Sequence, residues 1–122
     1  PYLQYMGARI SSMLARLPED RLPEPDQVDL TLLQAPDEWE LIRLIGEFPE
    51  RVSQAAEGLN PSVMTGYLYE LSKTFSRYYH DHPIVVSDDE DLRNARVVLT
   101  RSLLQVLRKA FELVGIPFLE TM

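Results

Sequence analysis

The sequence predicts an all-α fold, a helical bundle of about five helices. Apolar residues recur at steps of three and four along most of the chain, which places them on one face of a helix. The pattern is interrupted at prolines and glycines, which end helices and turn the chain. Helix-start signals follow those breaks. The apolar run Ile84-Val85-Val86 is too short to be assigned as a strand.

The first helix is expected from Pro1 to about Leu17. Proline suits a first turn, and Leu3, Met6, Ile10, Met13, Leu14 and Leu17 follow at helical spacing. Pro18, Pro23 and Pro25 then break the pattern, so residues 18–35 read as an acidic, proline-rich connector. Val28, Leu30, Leu32 and Leu33 pin it to the surface or form a short helical turn. A second helix starts near Pro36, where Asp37, Glu38 and Glu40 suit the positive end of the dipole. Its apolar stripe is expected at Trp39, Leu41, Ile42, Leu44 and Ile45, and Phe48-Pro49 ends it. Pro49 opens a short third helix through Ala55-Ala56, closed near Gly58. Asn60-Pro61 pairs a capping residue with proline and starts a fourth, carrying Met64, Leu68, Leu71, Phe75 and Tyr78 and stopping before Pro83. Residues 87–91, Ser-Asp-Asp-Glu-Asp, form a solvated turn into the last helix. The core face there is expected at Leu92, Ala95, Leu99, Leu103, Val106, Ala110 and Leu113, with Gly115 as the stop.

With 122 residues the chain is one domain, long enough to bury a core. It has no cysteine, which excludes a disulfide framework and a thiolate metal site and suits a reducing compartment. No apolar run approaches the roughly 18 residues of a membrane-spanning helix. The chain opens on Pro1 in what already reads as a helix, as expected of a fragment of a longer protein. Its net charge of −7 argues against a free-standing nucleic-acid binder, since phosphate contacts need clustered cations. Ten of the twelve basic residues are arginine, however. A module that reads a few splayed bases needs less positive charge than one that tracks a backbone.

Several blocks, in order, carry a resemblance: Pro1-Tyr2-Leu3-Gln4-Tyr5 with Arg9-Ile10; Glu47-Phe48-Pro49-Glu50 with Ala55-Ala56; Tyr67-Leu68-Tyr69-Glu70-Leu71 with Phe75 and Tyr78-Tyr79; and finally Arg96, Leu99, Gln105-Val106-Leu107, Gly115-Ile116 and Met122. Together they resemble the C-terminal DALR anticodon-binding domain of arginyl-tRNA synthetases across nearly the whole chain. The sequence departs from the family at Lys109-Ala110, where an Asn-Gly pair is usual, and at Thr121, where arginine is usual. The resemblance implies a module that holds the anticodon arm of arginine tRNA in the cytoplasm. An upstream catalytic domain of the same chain would use ATP and magnesium for the chemistry. It implies RNA contacts from Tyr2, Tyr5 and Arg9 on the first helix, from Ile84 in the loop before the last helix, where some members have tryptophan, and from Met122.

The residues themselves leave alternatives open. Tyr2 and Tyr5 stack on unpaired bases or pack at the core edge. Arg9 follows Tyr5 by four residues, so the two share a face; it meets a phosphate or pairs with a carboxylate. Tyr78, Tyr79, His80 and His82 cluster at a helix end. His80, Asp81 and His82 suggest a metal site but lack further ligands at useful spacing. They read instead as residues near a bound RNA or as a histidine cap. Along the last helix, Arg101 and Arg108 share a face, which lines an RNA groove or is plain surface; Arg93, Arg96 and Lys109 read as solvated or paired. No catalytic constellation, glycine-rich phosphate loop or nucleophile motif is present, so this segment is expected to be non-catalytic, with no cofactor or metal of its own. A reading of another class is a helical protein-interaction domain whose acidic surface meets a basic partner.

Overall fold

A computed structural model describes residues 2–16, 22–82, 89–115 and 117–119. Among them are five α-helices: α1 (Tyr2–Ala15), α2 (Pro36–Gly46), α3 (Phe48–Gly58), α4 (Ser62–Asp81) and α5 (Glu90–Val114). Two 3-10 turns, Pro25–Gln27 and Leu30–Leu32, lie in the connector. Helix α5 packs against α1, α2 and α4, while α3 leans on α4. Tyr2 of α1 meets Tyr69 of α4 and Arg9 meets Tyr79, so these two helices run the same way. Helix α5 runs back between them. Its start lies by the end of α4, where Arg96 meets His82, and its end lies by the first turn of α1, where Gln4 donates to the Pro117 carbonyl at 3.0 Å.

The helix ends follow their sequence signals. The Asn60 side chain accepts from the Ser62 N–H at 3.1 Å, and Asp89 caps α5 by accepting from the Leu92 N–H at 3.2 Å. Helix α5 closes on Gly115 at φ +75°, the left-handed turn that suits glycine. Helix α3 closes at Gly58, as expected. The left-handed residue is not Gly58 but Leu59, at φ +47°. Its N–H donates to Ala56 and that of Asn60 to Ala55, which closes the helix at a backbone cost of roughly 1–2 kcal/mol for a residue with a Cβ.

Leu68, Leu71, Tyr67, Phe75 and Tyr78 of α4 fill the centre with Leu41, Leu44, Ile10, Met6 and Leu103. Tyr67 donates its hydroxyl to the Leu44 carbonyl, and burial pushes its phenol up to about 12. Gly7 of α1 lies against the Phe118 ring; a Cβ there would sit 2.7 Å from it. In the connector Leu33 is buried, and Arg101 Nη1 donates to the Pro23 carbonyl at 2.6 Å.

Two core faces differ from the sequence reading. On α5 the buried residues are Ala95, Val97, Val98, Leu99, Thr100, Leu103, Leu107, Ala110 and Phe111, whereas Leu92 and Val106 are only partly buried and Leu113 is 57% exposed. On α2 only Leu41 and Leu44 of the expected stripe are buried. Ile45 is partly buried, while Trp39 and Ile42 face solvent. The inward place next to Trp39 belongs to Glu38. Its carboxylate accepts from Tyr78 Oη at 2.6 Å and Arg96 Nε at 2.9 Å on one oxygen, and from the Ala35 N–H at 3.1 Å on the other. A buried carboxylate with three donors is satisfied. Burial, followed by the bond to Glu38, holds the Tyr78 phenol well above its usual range.

Candidate nucleic-acid interface

Helix α1 has two faces at helical spacing. Leu3, Met6, Ile10, Met13 and Leu14 turn inward, and Tyr2, Tyr5, Arg9, Ser12 and Arg16 turn outward. The outward residues step by three and four, so they form one stripe along the helix. Tyr5 is half-exposed, and Tyr2 lies parallel to Tyr69 of α4 with ring centroids 5.9 Å apart. Neither tyrosine is spent on the core.

Arg9 sets its guanidinium 5.3 Å from the centre of the Tyr79 ring, a cation–π contact. Tyr79 in turn stacks on Phe75, with centroids 6.0 Å apart. Between α1 and α4 these residues frame a recess of about 100 Å3. Ile10, Met13 and Phe75 supply its apolar lining, and Arg9, Arg16 and Tyr79 its polar members. Its two guanidinium groups offer donors to an anion.

The charge is separated. Residues 1–18 contain no Asp or Glu, although the whole chain carries −7. The carboxylates lie in the connector, on α2 and α3, at Glu70 and Asp81 of α4, around the start of α5 and at Glu112 near its end. Several are held by arginines, as Glu40 and Glu47 are by Arg43 and Glu47 and Glu70 by Arg51. Arg43 holds the Glu40 carboxyl below its usual range. The basic residues of α5 are committed too. Arg93 pairs with Glu90 and Lys109 with Glu112, Arg96 binds Glu38, Arg101 holds the connector, and Arg108 lies 4.4 Å over the Phe118 ring. Arg101 and Arg108 therefore brace the connector and the segment after α5, which is what their shared face does here.

Of the expected contact residues, Tyr2, Tyr5 and Arg9 come together on the α1 stripe. Ile84 and Met122 lie outside the described residues. The end of α4, ahead of the Ile84 loop, sits near the recess rather than beside Tyr2, since Tyr69 and Tyr79 are roughly 15 Å apart along α4. His80, Asp81 and His82 do not converge. His80 Nδ1 meets Asp81 at 3.1 Å, while His82 turns inward to Tyr78 and Arg96. Among the described residues no three His, Cys, Asp or Glu side chains gather as metal ligands, and no helix is long and apolar enough to cross a membrane.

The model of the DALR anticodon binding domain matches residues 3–122. The chain belongs to the DALR anticodon-binding domain family. An arginine–tRNA ligase of Treponema pallidum subsp. pallidum is 52% identical over 125 residues, covering 100% of this chain and 21% of that protein. One of Treponema denticola is 48% identical with the same coverage. The solved arginyl-tRNA synthetase of Thermus thermophilus matches all of this chain, and 21% of its own, with a TM-score of 0.83 at 32% identity. The chain thus spans about a fifth of the length of the relatives it matches. Within this DALR domain, Tyr69 and Tyr79 are the residues that sequence spacing alone did not assign to the α1 face. Tyr69 is set two residues from buried Tyr67 and so points away from the core, a signal present in the sequence. Tyr79 becomes part of the face through its ring contact with Arg9, which depends on how α1 packs on α4.

Proposed function

We propose that this domain binds the anticodon arm of arginine tRNA as the C-terminal module of a cytoplasmic arginyl-tRNA synthetase. An upstream catalytic domain then joins arginine to the tRNA with ATP and magnesium. The observation that carries this reading is the Tyr2–Tyr5–Arg9 stripe and its recess against α4, an aromatic and cationic face on an otherwise acidic domain. Unpaired bases stack on exposed tyrosines at about 1–3 kcal/mol per base, tolerant of sequence but additive over several contacts. Arg9 and Arg16 neutralise phosphates beside the stacked bases. Ile84 and Met122 complete the contact set in this reading.

No residue here does chemistry. The domain acts by positioning, since binding energy realised far from the reacting atoms holds the acceptor end in the distant catalytic site. The test is made on the full-length parent. Tyr5→Ala and Arg9→Ala raise KM for tRNA about tenfold or more, the loss of one stacking or charged contact, and leave KM for ATP and arginine unchanged. Unchanged tRNA kinetics in both variants would remove this face from the binding site.

A further inference from the structure

A second surface lies at the other end of α4. Helix α3 buries none of its residues, although Val52, Ala55 and Ala56 line up on one side of it. With Leu59, Met64 and Leu113 they border an open groove of about 300 Å3 that, among the described residues, no charged side chain lines. Leu59 is 88% exposed, and its backbone is held at φ +47°, where glycine or asparagine is at ease and leucine is not. Leu113, at the last turn of α5, is 57% exposed on the same rim. The fold thus holds a large apolar side chain in water on a strained backbone. Exposed apolar surface gathered in this way marks an interface.

The occupant follows from position, size and charge. The relatives carry about four-fifths of their length outside the matched C-terminal part. The Gln4–Pro117 bond sets the first turn of α1 beside the end of α5, so a body joined ahead of α1 lies at the end of the bundle that holds the groove. Nucleic acid does not suit an uncharged lining. We propose that the Leu59–Leu113 groove is the docking surface for the upstream catalytic body of the parent synthetase, which inserts an apolar side chain between α3 and the end of α5. The docking fixes the angle between the anticodon module and the catalytic site. This rests on the reading of the chain as a synthetase module.

The experiment uses the full-length parent carrying Leu59→Cys or, on the opposite side of α3, Gln54→Cys. Alkylation is followed peptide by peptide, and anticodon stem-loop binding is measured on the same preparations. Expected is alkylation at position 59 about tenfold or more slower than at 54, as for a site that reacts only on local opening, independent of protein concentration, with stem-loop binding unchanged. Equal rates at 59 and 54 overturn the proposal. Protection that disappears on dilution overturns it too, by assigning the groove to a second copy. Tyr5→Ala, added to Leu59→Cys, weakens stem-loop binding about tenfold or more without altering protection. Failure of the RNA reading and failure of the docking surface therefore give different results.

Discussion

Arg96 donates through Nε to Glu38 Oε2 at 2.9 Å, across 58 residues of chain. The bond ties the first turn of α2 to α5, with Tyr78 of α4 on the same oxygen. Three helices thus share one buried carboxylate. Arg96→Met leaves that carboxylate without its cation and should cost about 3 kcal/mol, the lower end for a broken buried pair because the arginine side chain is 13% exposed. Urea unfolding of the chain should show a lower midpoint at unchanged slope. A loss below about 1 kcal/mol would mean that the pair contributes no more than a surface bridge.

The buried phenols set the alkaline limit. Tyr67 and Tyr78 both ionise above the ordinary value of 10.0 in the folded chain, Tyr67 at about 12. A raised pKa means that the folded state keeps the proton which the unfolded state releases. Their contribution is therefore complete below pH 10 and is lost as the pH rises from there through the folded values. Each group should lower stability by about 1.4 kcal/mol per pH unit within that window. Urea midpoints measured across it should fall steeply, and the Tyr67→Phe, Tyr78→Phe double variant should flatten the fall. An equal slope in both proteins would show that neither phenol governs it.

The helices were legible in the sequence because their ends are chemical: Pro36 and Gly115 act at the expected places, Asn60 accepts from Ser62 one residue ahead of the cap position at Pro61, and Asp89 caps α5 within the turn expected to start it. Faces were legible only where one side of a helix is apolar, as on α1 and α4. Helix α5 offers apolar residues on both sides of Leu103. At 100° per residue, Leu113 lies roughly 80° to one side of Leu103 and Phe111 roughly 80° to the other, and periodicity cannot choose between them. The packed helices choose Leu107 and Phe111. Glu38 takes the inward place on α2 because its partners are Tyr78 and Arg96, too distant in sequence for spacing to reveal. The Tyr5–Arg9 pairing was legible from spacing and Tyr2 joined it through the family resemblance, whereas the Arg9–Tyr79 contact depends on two helices meeting.

That choice of face is measurable. Leu99→Ala removes a side chain that is 5% exposed and should cost about 2–5 kcal/mol. Leu113→Ala, at 57% exposure, should stay within about 0.5 kcal/mol in the isolated chain. Equal losses at the two sites would reverse the assignment of the α5 face.

The segregation of charge predicts a salt effect. Stem-loop binding by the full-length parent should weaken as salt rises, because bound phosphates release counterions. Arg9→Gln should reduce the slope of log affinity against log salt by about one. Lys109 is not part of the α1 stripe, so Lys109→Gln should leave the slope unchanged. A change for Lys109 and none for Arg9 would move the phosphate contact to α5.

The sharpest test of the chain end avoids deleting it. Gly7 sits mid-helix in α1, where alanine would ordinarily stabilise by about 0.5–1 kcal/mol. A Cβ there would, however, meet Phe118 at 2.7 and 3.2 Å. The ring is held by Phe111, with centroids 5.4 Å apart, and by Arg108, yet it stands on a short segment after the last helix and can be pushed aside. Gly7→Ala should therefore move Phe118 and the residues leading to Met122, while the gain in helix propensity offsets part of the lost ring contact. Stability of the chain should remain within about 1 kcal/mol of the original. If Met122 meets the anticodon loop, the variant in the full-length parent should raise KM for tRNA several-fold. Deletion of residues 119–122 should do the same, and neither change should alter KM for ATP or arginine. Unchanged kcat/KM for tRNA in both proteins would remove the chain end from recognition and leave the α1 stripe to bind alone.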